Sequence, residues 1–151
     1  MTSKTENPFV EKVNTRYLET LVGYNARRAA LAVISRFMEE MAVYELRPVD
    51  FSVLSLITHN PGITSRQLCS TLGLQAPNIV AMVNGFEKNG MIARHAHPHD
   101  GRAFGLVMTP AGDELMGRAE KTAASLEAQV AAKLTPAERK TMIQLLKKVY
   151  K

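Results

Sequence analysis

Tryptophan is absent and cysteine occurs once, at Cys69. A single thiol excludes an intrachain disulfide framework and suits a reducing compartment. No stretch approaches the ~18 apolar residues that a membrane-spanning helix needs, and the opening MTSKTENPF holds no apolar signal core. A cytoplasmic protein without a membrane partner is therefore expected. Also lacking are a glycine-rich phosphate loop, a nucleophile beside a base, and paired carboxylates near a histidine. No enzyme, no cofactor and no metal site is expected on that ground.

What is present is a helical protein of 151 residues with 46% hydrophobic residues, enough to bury one core. Its net charge of +5 favours a polyanionic partner without specifying one. Part of that charge is a basic tail from Lys133 onward, which reads as a solvated face.

Residues 13–46 contain no proline and one glycine, with apolar positions at helical spacing on two faces. They predict one continuous helix of about 50 Å at 1.5 Å per residue, too long for one domain to cover. One face is expected to pack on its own chain and the other on a second copy. Asp50 is expected to cap a helix over residues 51–60, and His59 to cap its far end.

The best-specified local stretch follows. Thr64 and Gln67 have capping-box spacing, Ile63 and Leu68 occupy hydrophobic-staple positions, and Gly73 fits a left-handed helix end. Leu74 is expected to fold back on Leu68 or Cys69, which reads as a core cysteine. A second helix over residues 76–89 places Ile79, Met82, Val83 and Phe86 on one face and Pro77, Asn78, Ala81 and Gly85 on the other. A short capped helix, a glycine turn and a second helix make a helix-turn-helix.

Residues 91–94 and 103–108 read as strands around a loop with Pro98, Asp100 and Gly101. The alternating His95, His97 and His99 do not make a metal site, because Pro98 breaks the strand and a tip loop provides no closed tetrahedron. Helices return after Pro110 and Pro136, the latter capped by Thr135 with Met142, Leu145, Leu146 and Val149 on one face. The fold class is thus mainly α with a small β-hairpin: a winged helix-turn-helix over residues 49–109, flanked by helical dimerisation segments at 1–48 and 110–151.

Asp100-Gly101-Arg102, followed by Met108-Thr109-Pro110-Ala111-Gly112, resembles the wing signature of the MarR family of bacterial transcription regulators. Residues 64–74, 86–92 and Arg94 add to the likeness. The resemblance implies a homodimer that represses from a near-palindromic operator in double-stranded DNA. A small effector, an aromatic acid or its thioester, would release it. The chain departs from the family at Ala81, where many members carry arginine, and at Asn84-Gly85, where they carry Asp-Arg. Residues 75–86 hold no charge at all.

Physical chemistry then assigns roles on that plan. Gln75 and Asn78 suit adenine edges, and Pro77 and Ala81 suit a thymine methyl, with Ala76 beside them at the helix start. Thr64 and Ser65 would hold phosphates. Arg66, Lys88, Arg94, His97 and Arg102 would supply the charge, with Arg102 entering the minor groove and Asp100 orienting Arg102 or Arg94. Tyr24, Arg27 and Arg28, in the first helix, form the candidate wall of a pocket for an acid. The competing reading is a winged-helix protein–protein module without specific DNA binding, which the uncharged second helix would suit.

Overall fold

The computed structural model describes residues 10–96, 98–99 and 101–151. Seven helices and one hairpin follow in order: α1 (Arg16–Glu19), α2 (Val22–Met41), a 3₁₀ turn (Ala42–Tyr44), α3 (Pro48–His59), α4 (Ser65–Leu72), α5 (Ala76–Lys88), β1 (Ile92–Ala96), β2 (Phe104–Met108), α6 (Pro110–Val130) and α7 (Pro136–Tyr150). The mainly α class with a small antiparallel hairpin is as expected.

The single long N-terminal helix is not. It breaks at Thr20 and Leu21, where Leu21 is extended. Side chains divert the backbone there: Thr20 Oγ1 donates to the Tyr17 carbonyl at 2.7 Å, and Asn25 Nδ2 donates to the Glu19 and Leu21 carbonyls at 2.8 Å. Such side-chain bonds compete with the helical ladder. The remaining α2 has 20 residues, about 30 Å. Its two buried side chains, Phe37 and Met41, lie toward its end, while Val22, Leu31, Ile34 and Met38 stay exposed.

A second correction concerns Asp50. The next helix starts at Pro48, two residues before Asp50, and Arg47 occupies the cap position. Proline needs no backbone partner at that first position. Asp50 sits one turn in and reaches back, accepting from the Arg47 backbone N–H at 3.0 Å and from its guanidinium at 2.8 and 2.9 Å. His59 likewise does not cap the helix end: its Nε2 bonds Glu120 of α6 at 2.8 Å, and Ser55 donates to the same carboxylate.

The core runs from Met41 through Val53, Leu54 and Ile57 of α3, Leu68 of α4, Ile79 and Val83 of α5, and Ile92 and Leu106 of the hairpin to Met116 and Ala119 of α6. Phe37 meets Phe51 edge-on at 5.5 Å. β1 and β2 pair antiparallel from Ile92↔Met108 to Ala96↔Phe104. The strands are shifted from the expected bounds, and His95 joins β1 opposite Gly105. A third edge joins them: Gly62 N–H donates to the Leu106 carbonyl at 2.8 Å, and Leu106 N–H to that of Ile63 at 2.9 Å. This bridge anchors a hairpin that would be unstable alone to the start of α4.

Candidate nucleic-acid interface

The helix-turn-helix forms as its capping chemistry requires. Thr64 Oγ1 accepts from the Gln67 backbone at 3.3 Å, and Gln67 Oε1 accepts from the Thr64 backbone at 2.9 Å. Gly73 closes α4 in the left-handed region at φ 64°, and Leu74 N–H donates back to the Cys69 carbonyl. Cys69 itself is half-buried against the core. Gln75 then starts α5 without a side-chain cap, and Pro77 occupies its first turn.

Burial of Ile79 and Val83 fixes which side of α5 faces outward. Gln75, Ala76, Pro77, Asn78 and Ala81 are all exposed, whereas Gly85 is half-buried and drops out of the outward strip. One residue not assigned from sequence joins that strip: Val80, half exposed at 50%. It lies one turn after Ala76 and one turn before Asn84, spacing that identifies it in retrospect.

Between α4, α5 and the hairpin lies an open groove of about 530 Å³. Thr64, Ser65 and Arg66 form one side, and Val80 the floor edge; Arg94, Arg102 and Phe104 complete the wall. The groove thus brings together Thr64, Ser65, Arg66, Arg94 and Arg102, and it meets α5 at Val80 and Val83, while Gln75, Ala76, Pro77, Asn78 and Ala81 lie outside its lining. Phe104, 50% exposed, was also not anticipated.

Arg94 occupies a more constrained place than a free phosphate ligand. Its Nε is 3.1 Å from Glu87 Oε2, and its terminal nitrogen donates to Asn84 Oδ1. The guanidinium therefore joins β1 to the outward side of α5. Arg102 stands exposed in the turn between the strands. His97 and Asp100 lie outside the described residues.

The hairpin is tied to α6 by the Thr109–Gly112 pair. Thr109 Oγ1 donates to the Gly90 carbonyl at 2.6 Å and accepts from Gly112 N–H at 3.1 Å. A Cβ on Gly112 would fall 2.1 Å from the Met91 carbonyl oxygen, so only glycine fits there.

The acid-pocket residues are placed differently. Arg27 and Arg28 are exposed and Tyr24 half-buried, in a part of α2 without buried residues. Most of α7 is also uncovered: Met142, Leu145, Leu146 and Val149 are 42%, 57%, 44% and 70% exposed. Among the described residues, no helix is long and apolar enough to cross a membrane.

A capped helix, an outward second helix and a hairpin flanking one groove define a winged helix-turn-helix of the DNA-binding type. The chain belongs to the MarR family of transcription regulators: the model of that family matches residues 44–103. It is 32% identical over 131 residues to a putative transcriptional regulatory protein for the hcr operon of Thauera aromatica, covering 86% of this chain and 79% of that protein. Among solved structures it is similar to the transcriptional repressor CouR bound to a 23-mer DNA duplex. That match has a TM-score of 0.87, 32% identity and coverage of 93% and 99% of the two chains. CouR bound to p-coumaroyl-CoA is also similar, with a TM-score of 0.80, 32% identity and coverage of 91% and 97%.

Proposed function

We propose that this chain is a cytoplasmic, non-enzymatic homodimeric repressor that sits on a near-palindromic operator and leaves it on binding an aromatic acyl-CoA thioester. The observation that carries this reading is the whole-chain likeness to CouR in its DNA-bound form, across 93% of the chain at a TM-score of 0.87. The likeness to CouR bound to p-coumaroyl-CoA supports the thioester class. Two copies would present their α5 helices about one turn of DNA apart, roughly 34 Å, which makes the operator near-palindromic. Thr64, Ser65 and Arg66 would contact phosphates, α5 would enter the major groove, and Arg102 would follow the wing into the flanking minor groove.

The dimerisation segments are the helices on either side of the winged unit. Their exposed apolar residues, from Leu31 and Ile34 of α2 to Leu145 and Val149 of α7, are what a second copy would cover. Tyr24, Arg27 and Arg28 lie on the same part of α2, where the two guanidinium groups can grip a carboxylate or phosphate of the effector.

Fluorescence anisotropy with the DNA upstream of the protein's own coding sequence tests the reading. Wild type should prefer that DNA over random duplex, and Arg102→Ala should weaken binding. p-Coumaroyl-CoA should release the complex where coenzyme A alone and free p-coumarate do not. Absence of any preferred duplex would overturn the regulator reading, and release by coenzyme A alone would overturn the aromatic thioester.

A further inference from the structure

We infer that α5 reads thymine methyl groups, with Val80 and Ala81 as its specificity-determining residues, so that the centre of each half-site consists of A·T pairs. This rests on the DNA-binding reading above and adds what the protein recognises within the duplex.

Direct recognition of guanine in the major groove is served best by an arginine or lysine bridging O6 and N7. α5 carries neither before Lys88, its last residue. The nearest arginine on the wing, Arg94, is held by Glu87 and Asn84, and so is turned onto the protein rather than toward a base. Nor does the helix offer a carboxylate to accept from cytosine N4 among its outward residues, since Glu87 is occupied by Arg94.

What remains outward is of two kinds. Gln75 and Asn78 carry amides, which match the paired donor and acceptor of adenine N6 and N7. Ala76, Pro77, Val80 and Ala81 present only carbon, all of them exposed. In the major groove the one apolar feature of any base is the thymine C5-methyl. A helix whose exposed strip alternates amides and methyls is therefore complementary to A·T pairs on both strands.

Val80 is the strongest member of the set. It is a β-branched side chain, 50% exposed, on the flank of the face that buries Ile79 and Val83. It borders the groove that also holds Arg102 and Phe104, so a duplex seated there would cover it. Its two methyls are stiff at χ1, so contact with a thymine methyl costs little side-chain entropy.

The test uses a duplex library randomised over 24 base pairs, followed by chemical editing of the selected sequence. Selection with the full-length wild-type protein should yield half-sites with A·T pairs at the centre. Replacing the central thymines by deoxyuridine removes only their methyls. That should weaken binding about fourfold for one methyl and about fifteenfold for a symmetric pair, on the transfer value of a buried carbon.

Val80→Ala should weaken binding to the thymine duplex by a similar factor and show little further loss on the deoxyuridine duplex. That non-additivity would mark direct contact. Val80→Thr, which keeps the shape, serves as a folding control and should lie between. Selection of G·C-centred half-sites, or uracil and thymine duplexes binding alike, would overturn the inference while leaving the regulator reading standing. Additive losses would overturn the role of Val80. A selection with no enriched sequence would overturn both readings together.

Discussion

Arg94 of β1 and Glu87 of α5 form an ion pair, with Nε 3.1 Å from Oε2, and the same guanidinium holds Asn84 on the turn before. The wing and the outward side of α5 are thereby fixed relative to each other. The pair is partly exposed, at 32% and 42%, so in isolation it is worth little to folding stability. Its effect lies in geometry: the wing tip and the helix have to meet the duplex in one register.

Arg94→Lys keeps the charge but loses the planar fork that reaches both partners. It should weaken operator binding about fivefold to tenfold while leaving the slope of log affinity against log salt unchanged. Glu87→Gln should do the same, and the double variant should lose no more than either alone. Salt titrations by anisotropy would show it. A slope flattened by ~0.9 per chain in Arg94→Ala would instead make Arg94 a phosphate ligand.

The contact of Gly112 with the Met91 carbonyl predicts a different failure. A methyl at that position would lie 2.1 Å from backbone oxygen and 2.8 Å from Met108 Cε, and neither α6 nor the α5–β1 turn can yield without breaking the Thr109 bonds. Gly112→Ala should lower unfolding free energy by about 2–4 kcal/mol. Urea denaturation would measure it, and retention of full stability would show that the turn relaxes freely. Thr109→Ser, which keeps the hydroxyl, should cost much less.

Sequence is informative where the structure depends on near neighbours in the chain. The α4 cap and glycine end, the two-helix unit, the hairpin and the Thr135 cap depend on neighbours within a few residues, and all formed. Val80 does have a local signal, its helical spacing from Ala76 and Asn84, whereas the exposure of Phe104 is set by packing across elements. The Arg94–Glu87–Asn84 cluster joins a strand to a helix and has no local signature. The long helix failed for an opposite reason. Its periodicity was real, but Thr20 and Asn25 side chains took the carbonyls that the ladder required. Asp50 lies inside the helix because Pro48 at the first position sets the start upstream, with Arg47 at the cap.

The uncovered face of α7 supplies a prediction about assembly. No residue of this helix is buried, although Leu145, Leu146 and Val149 are apolar. A second copy would remove this surface from water. Leu145→Glu should convert the dimer to monomer in sedimentation velocity, with helicity by circular dichroism unchanged. Operator affinity should then fall roughly 100-fold, because two half-sites are no longer bound by one linked unit. A variant that remains dimeric would place the interface on another face.

The buried Asp50 makes acid stability a readout of the α3 start. Burial by itself would push its carboxyl up. The Arg47 side-chain bonds, backbone N–H and charge outweigh that, and the net effect holds it below the usual carboxylate range. A depressed folded-state pKa gives stability that is fully present above the unfolded value and is lost as pH falls through the folded one. Wild type should therefore lose stability progressively in that acidic window, beyond what its other carboxylates contribute. Asp50→Asn should remove this part of the slope and cost about 1–3 kcal/mol at neutral pH, where the charge-assisted bonds are intact in wild type. Urea titrations at neutral and acidic pH compare the two proteins directly. Parallel losses in both would mean that Asp50 carries none of the acid sensitivity.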